Sequence, residues 1–320
     1  MRHTDIDRDL KVFVFGNHGY RTLDDPVRGF PVSWWDGARM VGNYAEADIV
    51  FHDLGDKPYT SEVRALTDAV AGVFPDTGNW LWYTYCDFPE FATKMGGIKF
   101  VLSPGPSRKE NESHNVHPVP VHCCTNDFLL QLDVDNTRAV RSISKSLNFA
   151  FIGNVSGLIP SQFFGGRQWL TRMSHRLPRM VLRNGHGSAM SDAWPAAHRE
   201  WMRIVASARY GFCPAGPSNG PRGWWTMQCG TVPIFSDVVH LPFEDAIDWR
   251  KIAVFVDMSN RETFDYTSLP MDGPAYEEKR QGCIDAWERY CRMDSCAREM
   301  WRITCGYLSR AAAGSLGITS

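Results

Sequence analysis

Short apolar runs separated by loops and by helical spacings dominate the chain. KVFVFG (11–16), ADIVFHDLGD (47–56), WLWYTY (80–85) and IKFVLS (98–103) each hold several apolar or aromatic residues in succession, the pattern of buried parallel strands. Between the second and third, Val63, Leu66, Val70 and Val73 recur at helical spacing over 61–73. The same alternation resumes at LNFAFIGN (147–154). A helix is predicted near 167–176, a strand at RMVLRNG (179–185), a helix over 195–208, a strand closing at 210–213, and a last strand at IAVFVDM (252–258). From about 276 to 310 the spacing is helical, with a break expected at Asp294-Ser295. This order predicts an α/β protein with two parallel sheets covered by helices. The polar, proline-bearing stretch 104–118 reads as an exposed loop. The helical segment VDNTRAVRSISKS marks a boundary, giving domains over 1–140 and 141–275, followed by C-terminal helices over 276–320.

The most informative stretch is GFCPAGPSNGPRGWWTMQCGTVPIF (211–235). After a short strand, Pro214 to Gly220 cannot continue it, and Pro221 suits a first helical position. Gly230 suits the left-handed position after a helix, and TVPIF resumes as a strand. From Trp201 through Ser236 there is no Asp or Glu, while Arg203, Arg209 and Arg222 are present. A cation in a helix's first turn is unfavourable with the dipole unless an anion lies between them. The pattern therefore points to a phosphate or diphosphate site centred on Arg222, against the plainer reading of a turn with Arg222 in solvent.

Composition narrows the alternatives. The 320 residues are 43% hydrophobic and 22% charged with a formal charge of −2, which argues against bulk attraction to nucleic acid or an anionic membrane. No signal peptide or membrane-spanning run is legible, so a cytoplasmic or other reducing compartment is expected. The nine cysteines lack a CxxC pair and read as buried free thiols rather than metal ligands. Twelve tryptophans are more than average usage gives; each reads first as packing, with ring stacking as the sharper alternative. Neither GNHGYR nor GNVSGL completes the G-x-G-x-x-G of dinucleotide enzymes, which weakens an oxidoreductase reading.

ASARYGFCPAG (206–216), Pro221-Arg222, CGTVPIFSD (229–237) and LPFEDAIDWRKIAVFV (241–256), in this order, resemble the exostosin-like glycosyltransferases of family 47. FIGN (151–154) with its downstream arginine helix is similar to the start of that family's C-terminal domain. The resemblance covers about 147–257 and is weak elsewhere. It implies a GT-B architecture of two Rossmann-like, doubly wound domains facing a cleft. It implies inverting transfer of a sugar such as xylose or galactose from a UDP-sugar to a hydroxyl of an oligosaccharide or glycoprotein glycan. No metal or other cofactor is expected to be required.

On this reading Arg222 neutralises the departing diphosphate, with Gly153 and Asn154 close to the donor phosphates. Arg183 and His186 at the next strand end, and Ser218 and Asn219 in the glycine-rich loop, are further donor contacts, each with a plain loop-structure alternative. Inversion needs a base on the acceptor hydroxyl. Among acids at strand ends of the first half, Asp87 is the first candidate and Asp53 the second, although Asp87 with Glu90 also reads as a helix start. His18 is a candidate acceptor contact. One departure stands out: where the family places a ribose-binding glutamate one turn after the arginine, this chain has Trp225. The base could stack on Trp224 or Trp225, the donor could be other than UDP, or the protein could bind nucleotide or sugar without transferring.

Overall fold

The structure, a computed structural model, describes residues 10–16, 37–43, 46–53, 80–83, 101–103, 116–120, 133–153, 161–185, 194–214 and 222–315. Two all-parallel sheets emerge. The first contains β1 (Leu10–Gly16), β2 (Ala38–Met40), β3 (Ile49–Asp53), β4 (Trp80–Tyr83), β5 (Val101–Ser103) and β6 (Val116–Pro118), in the order β2-β1-β3-β4-β5-β6. The second contains β7 (Leu147–Gly153), β8 (Met180–Asn184), β9 (Ala208–Cys213), β10 (Val232–Ser236) and β11 (Val254–Val256), in the order β11-β10-β9-β7-β8. Every pairing is parallel.

Each sheet reverses its direction of growth once, between β1 and β3 and between β7 and β9. This is the doubly wound pattern, and two Rossmann-like sheets in one chain give the expected α/β, GT-B class. Two short strands were not legible in the sequence. β2 is three residues long, and β6 takes the end of the stretch expected to be an exposed loop, with Val116 opposite Val101. The expected helix over 61–73 lies outside the described residues.

The helices of the second half follow their sequence signals. α1 (Val134–Arg141) is capped by Asp133, whose carboxylate accepts from the Asn136 amide at 2.8 Å. α2 (Ser161–Met173) follows β7, and α3 (Trp194–Ala206) follows β8. α4 (Arg222–Gln228) follows β9, and Gly230 closes it at φ +61°, as expected of a left-handed terminator. α5 (Trp249–Ile252) is capped by Asp248, and the indole of Trp249 donates to the Pro242 carbonyl at 2.7 Å. α6 (Gly273–Ala286) and α7 (Met293–Ser315) are joined by a π turn at 287–291. The chain breaks at Arg292, which is extended, two residues before the expected place.

The core is continuous. Leu10, Val12, Ile49 and Val119 of the first half belong to the same buried cluster as Phe149, Phe212, Trp224, Trp287 and Met300. A second cluster lies around Val140, Trp201, Val205 and Trp225. The six cysteines among the described residues are free thiols, and five of them are buried.

A group of cations closes the amino end of the second sheet. Lys145 Nζ donates to the Ala206 carbonyl, the last of α3, at 2.7 Å and to Thr231 Oγ1 at 3.0 Å. Arg141 Nε donates to the Gln228 carbonyl, the last of α4, at 2.9 Å. Arg280, on α6, donates to the carbonyls of Gly230 (3.2 Å) and Arg141 (3.1 Å). Carbonyls at helix C-termini have no intrahelical donor and carry the negative end of the dipole, so each is met by a positive charge. Burial drives the Lys145 amine down to about 7, the nearby Cys229 thiol opposing that shift and Arg280 adding to it.

Candidate donor-phosphate site

Ligands of doubly wound sheets gather at the carboxyl ends of the strands where the winding reverses. In the second sheet those ends are Gly153 on β7 and Cys213 on β9, and Arg222 joins them from the start of α4. Its guanidinium lies over the Phe151 ring, 4.9 Å from the centroid, and its Nε donates to the Ile152 carbonyl at 3.4 Å. Gly153 makes room for it: a Cβ there would stand 2.3 Å from Arg222 Nη2. Gly223 does the same one residue on, where a Cβ would meet Phe235 Cε1 at 2.7 Å. β7, α4 and β10 are thus drawn together by two missing side chains.

Among the described residues the charge on Arg222 has no partner of opposite sign. It forms no ion pair among the described residues, and neither α2 nor α4 has an acid in its first turn. Burial first and the positive charge of Arg167 on α2 second lower its pKa to about 10, with the Cys213 thiol opposing. At neutral pH the group remains charged. Two guanidinium groups close enough to disfavour each other's charge, beside strand ends that carry no carboxylate, form a place where an anion lowers the energy of both. Arg167 is absent from the sequence-derived set. Its only signal there was its place in the arginine-bearing helix after FIGN.

The other expected contacts distribute unevenly. Arg183 sits on β8 opposite Ile152, but its side chain is exposed and paired with Glu200 of α3 at 3.1 Å. Trp225 is drawn into the core. Only 7% exposed, it packs edge-on against His198 (4.5 Å between centroids) and Trp201 (5.6 Å), inside the second core cluster. Trp224 is buried in the other cluster, against Phe235 and Trp249. Neighbouring residues of α4, about 100° apart around the helix, thus enter two different core clusters. Asp237 and Asp248 are structural, as expected: Asp237 accepts from the Met258 amide at 3.0 Å.

In the first sheet, Asp53 ends β3 directly beside Gly16 of β1, at the point where the winding reverses. That is the equivalent of the position Cys213 occupies in the second, as Gly16 is the equivalent of Gly153. His18, Asp87, Asn154, His186, Ser218 and Asn219 lie outside the described residues. Among the described residues no three His, Cys, Asp or Glu side chains are grouped so as to hold a metal ion. No helix there is long and apolar enough to cross a membrane.

Comparison with solved structures finds similarity to a glycosyltransferase and two synthases. A glycosyltransferase from Rickettsia africae ESF-5 is 9% identical, with 94% of this chain and 99% of that one covered at a TM-score of 0.44. Sucrose-phosphate synthase from Thermosynechococcus elongatus is 12% identical, with 85% and 76% covered at 0.42. An alpha,alpha-trehalose 6-phosphate synthase from Burkholderia multivorans is 12% identical, with 84% and 72% covered at 0.42. The family comparison is local and spans the whole second sheet, with Gly153, Arg167 and Arg222 inside it. Residues 139–267 match the model of the Exostosin GT47 domain.

Proposed function

We propose that the protein is an inverting glycosyltransferase that moves a sugar from a UDP-sugar to a hydroxyl of a glycan acceptor. The observation that carries this reading is Arg222, held over Phe151 and against Gly153 at the winding reversal, with Arg167 beside it and no carboxylate partner among the described residues. As the glycosidic bond to the donor breaks, negative charge grows on the diphosphate oxygens. Two fixed guanidinium groups stabilise that charge more than they stabilise the intact donor, which is what lowers a barrier. The acceptor proton needs a base on the opposite side of the sugar. Asp53, at the matching reversal of the first sheet, and Asp87 are the two carboxylates proposed for it. Metal-independent chemistry, a glycan or glycoprotein acceptor and xylose or galactose as the sugar belong to the same proposal.

The test is nucleotide binding followed by transfer. Charge-assisted hydrogen bonds contribute about 1.5–3 kcal/mol each, so Arg222→Ala should weaken UDP binding by roughly 10- to 150-fold in calorimetry. Asp53→Asn and Asp87→Asn should bind UDP normally, and one of them should lose transfer. UDP affinity unchanged in Arg222→Ala overturns the site. UDP binding by the unaltered protein, with no transfer or hydrolysis from any donor, favours instead a nucleotide-binding relative without transferase activity. The burial of Trp225, where the family has an acid, is the feature that makes this second reading specific.

A further inference from the structure

Ile152 and Gly153 end β7 at the winding reversal, and the carbonyls of successive strand residues leave on opposite sides. The Gly153 carbonyl accepts from the Gly185 amide, just past β8, at 3.3 Å. The Ile152 carbonyl therefore points the other way, toward β9, where the register between the two strands has already ended at Ala150 opposite Gly211. Two side chains meet it there. Trp201 Nε1 of α3 donates to it at 3.3 Å, and Arg222 Nε of α4 at 3.4 Å.

The two donors arrive from opposite faces of the sheet. Arg222 lies over Phe151, which belongs to the larger core cluster, whereas Trp201 packs with Ile152 and Val205 in the second. The indole has little freedom. It is 3% exposed, and the His198 ring lies flat against it, 5.5 Å between centroids at an interplanar angle of 5°. Its N–H is thereby held on the same oxygen that anchors Arg222.

We infer that Trp201 is a positioning residue of the phosphate site, acting through the Ile152 carbonyl to set where the Arg222 guanidinium stands. The inference rests on the donor-site reading above. A carbonyl oxygen has two lone pairs, and here the indole and the guanidinium take one each. With Nε spent on the strand, Nη1 and Nη2 make no hydrogen bond among the described residues and are left for a phosphoryl group, whose oxygens such an edge fits. Without the indole N–H the oxygen has a single donor. It then draws Nε closer, and the Nη edge follows toward the strand and away from the anion. Hydrogen bonds to the anion are directional, so affinity falls although no group that touches the ligand has been removed.

A double-mutant cycle on UDP affinity separates positioning from packing. Trp201→Phe keeps a ring in the core and loses the N–H. With Arg222 present it should weaken UDP binding about 2- to 10-fold in calorimetry, the effect of one hydrogen bond. In Arg222→Ala the same substitution should leave UDP affinity unchanged. Trp201→Phe without effect in either background, or with equal loss in both, overturns the positioning role and leaves the arginine site standing. UDP affinity unaltered by Arg222→Ala overturns the donor-site reading and this inference with it. A second readout needs no change at Trp201. Its indole N–H proton resonance, assigned from contacts with His198 and Ile152, should move downfield in Arg222→Ala, where the indole becomes the carbonyl's single side-chain donor. A resonance that stays in place or moves upfield overturns the shared carbonyl.

Discussion

Gly153→Ala adds one methyl group at the end of β7, and its effect can be worked from the distances around it. The new Cβ would lie 2.3 Å from Arg222 Nη2 and 3.1 Å from both Arg222 Cζ and Phe151 Cζ. Ordinary contact for such atoms is about 3.5–4.0 Å, so the guanidinium must withdraw by more than about 1 Å. Withdrawal breaks the bond from Arg222 Nε to the Ile152 carbonyl, already 3.4 Å, and takes the charge off the Phe151 face. The bond contributes about 0.5–1.5 kcal/mol and the ring contact about 0.5–2 kcal/mol, so the folded state loses about 1–3.5 kcal/mol at most. The site loses more in proportion. Directional hydrogen bonds weaken steeply once geometry is lost, and removal of one or two charged contacts to a diphosphate costs roughly 10- to 150-fold in affinity. Denaturant melts and calorimetry with UDP on the same preparations measure both quantities. A variant that binds UDP as the parent does would refute the claim that Gly153 is there to admit Arg222.

Two further outcomes follow from packing and charge. Trp225→Ala should cost about 3–5 kcal/mol in urea melts, because it empties the space against His198 and Trp201, while the folded fraction binds UDP as before. A loss of nucleotide affinity at unchanged stability would restore the ring to the ligand site. Lys145, lowered to about 7 in the folded chain against 10.5 for the ordinary amine, binds fewer protons folded than unfolded between those values. Its contribution should therefore make the protein more stable as pH rises from about 7 to 10.5, with no further change below 7. In Lys145→Met that part of the pH dependence should vanish from melts taken across the same window.

The second half of the fold was legible because its signals were local. β7, β9 and β10 are unbroken apolar runs, Gly230 marks a helix end, and Asp248 caps the next helix. β2 and β6 were not legible, since neither Ala38–Met40 nor the polar, proline-bearing stretch 104–118 carries an apolar run of its own. The centre of the site was readable from the absence of acid around Arg222. What surrounds it was not. Trp225 and Arg183 stand at the right sequence positions, yet helix phase turns one into the core and an exposed Glu200 holds the other.

The cations at the amino end of the second sheet bear on where this domain can be cut. The matched family stretch stops at residue 267, before α6 begins at Gly273. Yet Arg280 of α6 supplies donors to the Gly230 and Arg141 carbonyls, and Ile284 of the same helix sits 3.2 Å from where a Gly230 side chain would start. Glu288 pairs with Arg141 at 2.5 Å, and Trp287 lies under the same guanidinium. A chain ending at 267 would expose this face of α4 and leave two carbonyls without their donor. The stretch matched by the family model is therefore shorter than the unit that packs together, and the last helices are the floor on which the arginine site stands.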